Sequence, residues 1–205
     1  MTLSSGRDAD ELRETLESNL ETLEDLKTLV NDMLFLARAD RGEQAADQVP
    51  VSLAAEARRV ADYYEAALEE RGVVLRCEGD AIVAANAGLV RRALANLISN
   101  AIKATPRGGE IVLACQPQPQ GARVEVRNPG DPIPAADLPR IFDRFFRSGQ
   151  ARAPRSEGHG LGLAIVRAIA RMHGGEVDAA SGPGGTVVGI TLRGPAPTGP
   201  NITKK

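Results

Sequence analysis

Tryptophan is absent from the 205 residues, and aromatic side chains make up only 3%. A surface that stacks bases on rings is therefore excluded. There is no excess of positive charge: 25 basic side chains face 27 acidic ones, for a net charge of −2. A nucleic-acid partner usually requires a basic domain, so none is expected. The two cysteines, Cys77 and Cys115, are far apart and have no His or Cys neighbours. That spacing excludes a zinc module and a disulfide framework, and it fits a reducing compartment. No apolar run reaches the roughly 20 residues a bilayer span needs, and no charged-then-apolar leader opens the chain. The sequence thus predicts a soluble, cytoplasmic chain. What remains is an ordinary globular balance of 42% apolar and 25% charged residues, enough for one domain with an appendage.

The appendage comes first. Over residues 8 to 40, Leu12, Leu16, Leu20, Leu23, Leu26, Val30, Met33 and Ala37 recur at spacings of three and four, with Glu14, Glu17, Glu21, Glu24, Asp25 and Lys27 between them. This predicts one long amphipathic helix. Such a rod cannot bury its own stripe. It either pairs with another copy in a bundle or folds back on the domain that follows. Residues 1–41 form this unit, and the polar, Gly- and Pro-containing stretch 42–50 reads as a linker.

Residues 51–193 form the predicted domain. Helices are expected over 51–71, 89–105, 135–146 and 161–173, the first ended by Gly72 and the last by Gly174 and Gly175. Strands are expected over 73–78, 81–84, 110–116, 123–127, 176–180 and 186–192. This alternation predicts an α/β sandwich, a mixed sheet with helices on one face. Residues 148–157 form a basic loop with Arg152 and Arg155, and 194–205 a loose tail.

The helix over 89–105 carries the first chemical signal. Arg92, Asn96, Asn100 and Lys103 share one face opposite a broad apolar one. Asn in a helix interior costs roughly 0.5–0.7 kcal/mol relative to Ala, so two of them one turn apart suggest a use. An Asn carbonyl can enter the oxygen shell of Mg²⁺, and Lys103 can meet a phosphate; an ordinary polar face is the bland alternative. The second signal is Gly158-His159-Gly160-Leu161-Gly162 at a helix start, where free N–H groups make an anion site. A basic loop precedes it, not a strand, which excludes a dinucleotide fingerprint. The third is Asn128-Pro129-Gly130-Asp131-Pro132-Ile133, a strand end followed by Gly.

Together, NLISNAIKATP (96–106), NPGDPI (128–133), FDRFFR (142–147), GHGLGLAI (158–165) and GGT (184–186) resemble, in order, the N, G1, F, G2 and G3 boxes of sensor histidine kinases. The ending MLFLARAD (33–40) resembles the second helix of the dimerisation and phosphotransfer domain. That ending and NPGDPI are most similar to the heavy-metal (copper/silver type) sensor kinases. The resemblance implies a Bergerat-type ATP fold with ATP and Mg²⁺ as cofactors. By resemblance, Asn100 coordinates the metal and Asn96 supports it. Lys103 and Arg147 meet phosphates, and Gly158, Gly160 and Gly162 shape the phosphate loop and lid hinge. Gly130 lets the nucleotide approach beside adenine, and Thr186 floors its pocket, with Ile133, Ile141, Leu161 and Leu163 as apolar lining.

The implied partners are ATP, a response regulator and a second copy joined through the long helix. The parent protein is expected in the bacterial inner membrane. Three departures stand out. Asn128 replaces the usual Asp that accepts from the adenine amino group. Ala104 replaces an aromatic residue. The only histidines, His159 and His173, lack the phosphoacceptor context, so the first helix with its His is expected to be missing and both histidines read as structural. The ATP hydrolases that share this fold carry a Glu near the position of Asn96, and an amide cannot serve as a base. A non-catalytic nucleotide-binding or dimerising module is the alternative.

Overall fold

The computed structural model describes residues 9–148 and 159–194. Helix α1 (Ala9–Asp40) is the long rod expected, 32 residues and so about 48 Å. Only its last turns are covered: Leu36 is buried, and Leu29, Phe35 and Ala39 lie against the core. Leu12, Leu16, Leu20, Leu23, Leu26, Val30 and Met33 are exposed.

The body is built from β1 (Val49–Ser52), α2 (Leu53–Tyr63), α3 (Glu65–Arg71), β2 (Val74–Glu78), β3 (Ile82–Ala85) and α4 (Ala87–Ala104). These are followed by β4 (Glu110–Gln118), β5 (Gly121–Asn128), α5 (Gly162–Met172), β6 (Val177–Gly182) and β7 (Gly185–Arg193). Five strands form one sheet in the order β2-β4-β5-β7-β6. The β2–β4 pair is parallel and the others antiparallel, so the sheet is mixed. Strands β1 and β3 pair separately, antiparallel.

One face of the sheet is covered, as the pattern predicts. Ile111 and Leu113 of β4, Val124 and Val126 of β5, and Ile190 and Leu192 of β7 are buried in one core with Leu94, Leu97 and Ile98 of α4 and Ile165, Val166 and Ile169 of α5. The other face carries charge. Arg123 bonds Asp178 of β6 at 2.6 and 2.8 Å and Glu125 at 2.9 Å, and Glu125 accepts from Arg127. These contacts hold the Asp178 and Glu125 carboxyls below their ordinary pKa. Arg123 reaches β6 by lying across Gly189, where a Cβ would stand 2.2 Å from its Nη2. Cys77 and Cys115 are both free thiols. Burial pushes Cys115 up to about 12, so it behaves as an inert core side chain.

Three sequence expectations need correction. The helix expected over 51–71 is a strand followed by two helices. Val51 and Ser52 belong to β1, whose Pro50 is tolerated because a two-stranded sheet is all edge. Ser52 then caps α2 by accepting from the Ala55 N–H at 3.1 Å. The second break, at Tyr64, brings its phenol to Ser99 of α4. The helix expected over 135–146 is a single 3₁₀ turn, Leu138–Arg140: Pro139 removes a donor from the run, and the chain on either side is closed by i→i+3 bonds such as Arg140 to Asp137 and Asp143 to Arg140, with Phe145 at a positive φ of 60° near its end. The strands expected over 110–116 and 123–127 are longer, β4 running to Gln118 and β5 starting at Gly121.

Candidate functional site

Helix α4 starts and stops sharply. Asn86 caps it, accepting from the Leu89 N–H at 3.0 Å, and Pro106 follows its last turn. Its polar face carries Asn96 and Asn100, both half-buried, and Lys103, which is exposed. The Asn96 Nδ2 donates to the carbonyl of Arg92 at 2.8 Å, four residues back. Its Oδ1 is thereby turned toward the start of α5. A Cβ on Gly162 would lie 2.8 Å from that oxygen and 3.6 Å from the Asn100 Nδ2. The backbone at the N-terminus of α5 therefore approaches the Asn96 amide more closely than a side chain would allow without that amide shifting, and lies within contact reach of Asn100. Two segments 60 residues apart in the chain, NLISN and GHGLG, meet here.

The other glycine segments close on the same end of the domain. Asn128 and Thr186 are directly paired across β5 and β7, and both are buried. Gly185, at φ 105°, lets β7 begin against Asn128, where a Cβ would be 2.2 Å from the Asn128 carbonyl oxygen. Gly130, at φ 145°, packs on the last residue of α4, where a Cβ would be 2.4 Å from the Ala104 carbonyl oxygen. Asn128 donates its Nδ2 to the Pro129 carbonyl at 2.9 Å, which fixes the amide. The Thr186 hydroxyl meets Ser181 Oγ at 2.7 Å, and Ser181 Oγ accepts from the Ile133 N–H at 2.9 Å. Ser181 was not singled out in the sequence. Its signal is the Ser-Gly-Pro-Gly-Gly-Thr turn, which places it opposite Thr186.

The FDRFFR segment completes the arrangement. Phe145 donates its N–H to the Gly160 carbonyl at 2.9 Å. Gly160 stands at φ 70°, where a side chain is strained, and a Cβ there would press on the Phe145 backbone at 3.0 Å. Asp143 accepts from Arg167 of α5 at 3.2 Å, and Arg140 lies 4.6 Å over the Phe146 ring. Ile141 and Leu161 are buried, Ile133 and Leu163 half-buried, and Arg147 is exposed. Gly158, Arg152 and Arg155 lie outside the described residues.

The two histidines differ. His159 is exposed beside Gly160. His173 is 2% exposed and fully engaged. Its Nδ1 donates to the Ile169 carbonyl at 2.8 Å, and its Nε2 accepts from the Asn86 N–H at 3.1 Å. That pair of bonds fixes the neutral tautomer, and burial lowers its pKa. His173 joins the end of α5 to the start of α4. A cleft of about 500 Å³ opens beside it, lined by Gln44, Gln48, Gln120 and Arg193 among others, and it shares no residue with the glycine-rich end.

Chemically, the glycine-rich end combines two side-chain amides, a lysine, and the N-terminus of helix α5. This suits a polyanion and a hard cation held by oxygen. A cradle that a Cβ would fill, between Asn96, Asn100 and Gly162, fits such a group.

Comparison with known proteins agrees with this geometry. Residues 85–196, more than half of the chain, match the family described as histidine kinase-, DNA gyrase B-, and HSP90-like ATPase. Sensor histidine kinase CusS of Escherichia coli (strain K12) is 45% identical over 193 residues, which is 94% of this chain and 40% of that protein. The chain therefore spans about two fifths of the length of the curated relatives it matches. The structure of the mycobacterial sensor histidine kinase MprB aligns with a TM-score of 0.62 and 30% identity, over 72% of this chain and 99% of that one. Full-length ShkA in complex with AMPPNP aligns with a TM-score of 0.75 and 25% identity, over 94% of this chain and 41% of that one.

Proposed function

This chain belongs to the histidine kinase-, DNA gyrase B-, and HSP90-like ATPase family, and on that premise we propose that it is the ATP-binding catalytic domain of a two-component sensor histidine kinase. Its reaction is transfer of the γ-phosphoryl group of ATP to a histidine imidazole, for relay to a response regulator. The observation that carries this reading is the convergence of Asn96 and Asn100 with Gly162, of Gly130 with Ala104, and of Asn128 with Gly185 and Thr186 at one end of the sandwich. The AMPPNP complex of ShkA supports a nucleotide as the ligand.

Asn100 holds the metal, with Asn96 beside it, and Lys103 and Arg147 meet the phosphates. The N–H groups at the start of α5, with Gly158, Gly160 and Gly162, cradle the same phosphates. Mg²⁺ supplies neutralisation of the charge that develops on the phosphoryl oxygens. Asn128 accepts from the adenine amino group through its Oδ1, Gly130 admits the ring, and Thr186 floors the pocket. Ile133, Ile141, Leu161 and Leu163 line it. Catalysis here is mainly positioning and charge stabilisation. Asn96 cannot act as a base on water, which disfavours hydrolysis.

The exposed stripe from Leu12 to Met33 fits a homodimer through α1. The similarity of segments 33–40 and 128–133 to heavy-metal sensor kinases extends the proposal to a heavy-metal response by a parent protein of the bacterial inner membrane. Among the described residues, no helix is long and apolar enough to cross a membrane.

Calorimetric titration with a non-hydrolysable ATP analogue, with Mg²⁺ and with EDTA, tests nucleotide binding. Transfer of labelled phosphate from ATP to a separately supplied helix carrying a phosphoacceptor His tests the kinase reading. Binding without transfer favours the alternative, a nucleotide-binding or dimerising module, to which the uncharged Asn128 also points.

A further inference from the structure

Three consecutive residues of the FDRFFR segment each hold a different part of the molecule. Asp143 accepts from Arg167 of α5. Arg144 donates Nη2 to the Leu36 carbonyl at 3.3 Å and to the Asp40 carboxylate at 2.6 Å, both in the last turns of α1. Phe145 donates its N–H to the carbonyl of Gly160, in the glycine loop. One peptide unit therefore separates the hold on α1 from the hold on the loop.

The backbone is strained at that point. Phe145 sits at φ 60°, a region that an L residue with a bulky side chain rarely occupies. Its ring is 55% exposed, so burial of the ring does not offset the strain. Such a conformer persists where neighbouring contacts impose it. Here the contacts are the Gly160 carbonyl on one side and the Arg144 grip on α1 on the other. Helix α1 is free along most of its length. Besides Leu36, Leu29, Ala39 and Arg144, it is held by Asp32, which accepts from Arg92 at 2.5 Å, and by Phe35, which lies 4.2 Å below that guanidinium. A shift of α1 would pull on Arg144.

We propose that Arg144 is a positioning residue that couples the place of α1 to the phosphate-binding glycine loop. With Arg144 seated on Asp40 and Leu36, Phe145 stays left-handed and the Gly160 carbonyl is held. When α1 moves, Phe145 relaxes and the loop loses that hold. The coupling is reciprocal, so nucleotide in the site firms the contact with α1. The inference rests on the nucleotide reading of the site.

The test uses the whole chain and two readouts. The first is hydrogen exchange of the Phe145 amide without nucleotide. The second is affinity for a non-hydrolysable ATP analogue with Mg²⁺. Arg144→Ala and Asp40→Asn are each expected to speed Phe145 exchange and weaken affinity by about two- to fivefold, the size of effect a partly exposed ion pair sustains. The two together should do no more than one alone. The reversed pair, Asp40→Arg with Arg144→Asp, should move both readouts back toward the parent chain, and Asp178→Asn, in an ion pair far from the loop, should move neither. Unchanged Phe145 exchange in both single variants overturns the proposal, as does faster exchange with unchanged affinity. If even the parent chain binds no nucleotide, the kinase reading fails by itself, and Phe145 exchange alone decides whether Arg144 holds the loop.

Discussion

Replacing Gly162 with alanine separates a phosphate-loop glycine from a helix-start glycine. The new Cβ would stand 2.8 Å from the Asn96 Oδ1 and 3.6 Å from the Asn100 Nδ2. Ordinary contact begins at 3.4 Å, so the Asn96 amide must retreat by about 0.6 Å. That amide is tied to the Arg92 carbonyl, and its retreat costs about 0.5–1.5 kcal/mol for one hydrogen bond. Alanine in place of glycine in a helix returns up to about 1 kcal/mol. The two nearly cancel, so the thermal midpoint should change little. Binding should not be spared. Displacing an amide from a charged ligand costs about 1.5–3 kcal/mol, or roughly 10- to 150-fold in Kd. Calorimetry and thermal unfolding on the same sample give both quantities. Parent-like affinity in Gly162→Ala would refute the placement of the phosphates between α4 and α5.

Other substitutions probe the remaining contacts. Gly130→Ala combines a φ of 145° with a Cβ 2.4 Å from the Ala104 carbonyl oxygen, and should lower stability by about 2 kcal/mol or more in urea unfolding; an unchanged midpoint would contradict the close approach. Gly189→Ala pushes only the flexible end of Arg123 off Asp178, and should cost less than about 1 kcal/mol because Asp178 is exposed; a larger loss would mean that the charged face of the sheet matters more than its exposure allows. Asn128→Asp removes the donation to the Pro129 carbonyl at a buried position and should cost the free protein about 1–3 kcal/mol. The same carboxylate should raise adenine-nucleotide affinity about fivefold, and affinity that does not rise would remove Asn128 from adenine contact. His173 is held neutral, with its pKa below the ordinary 6.5, so the unfolded chain takes up the proton first. Stability is therefore complete above about pH 6.5 and declines as the pH falls toward the folded-state pKa. The urea midpoint should drop more between pH 7.5 and 5.5 in the parent chain than in His173→Gln, and equal drops would exclude His173 as the source.

Much of this architecture is legible because period and punctuation agree. In α4 the apolar spacing, the Asn86 cap and the Pro106 stop all point the same way, and the Gly-rich turn between β6 and β7 sits between two alternating runs. The failures have local causes. Residues 51–71 carry helical spacing throughout, but Val51 and Ser52 pair with β3, and pairing outweighs a weak helical preference. Residues 135–146 look amphipathic, yet Pro139 interrupts the run and i→i+3 turns take the place of a helical ladder. The site divides in the same way. Asn96, Asn100 and the glycines stand out because each residue type is costly where it lies. The bond from Ile133 to Ser181, the hold of Arg92 on Asp32 and that of Arg144 on Asp40 join segments far apart in the chain, which no spacing rule records.

The most direct test of the central claim is calorimetric titration of the chain with a non-hydrolysable ATP analogue, once with Mg²⁺ and once with EDTA. Binding in the micromolar range that disappears with EDTA is the result the account predicts. Absence of binding up to millimolar analogue, or binding that ignores the metal, would contradict it.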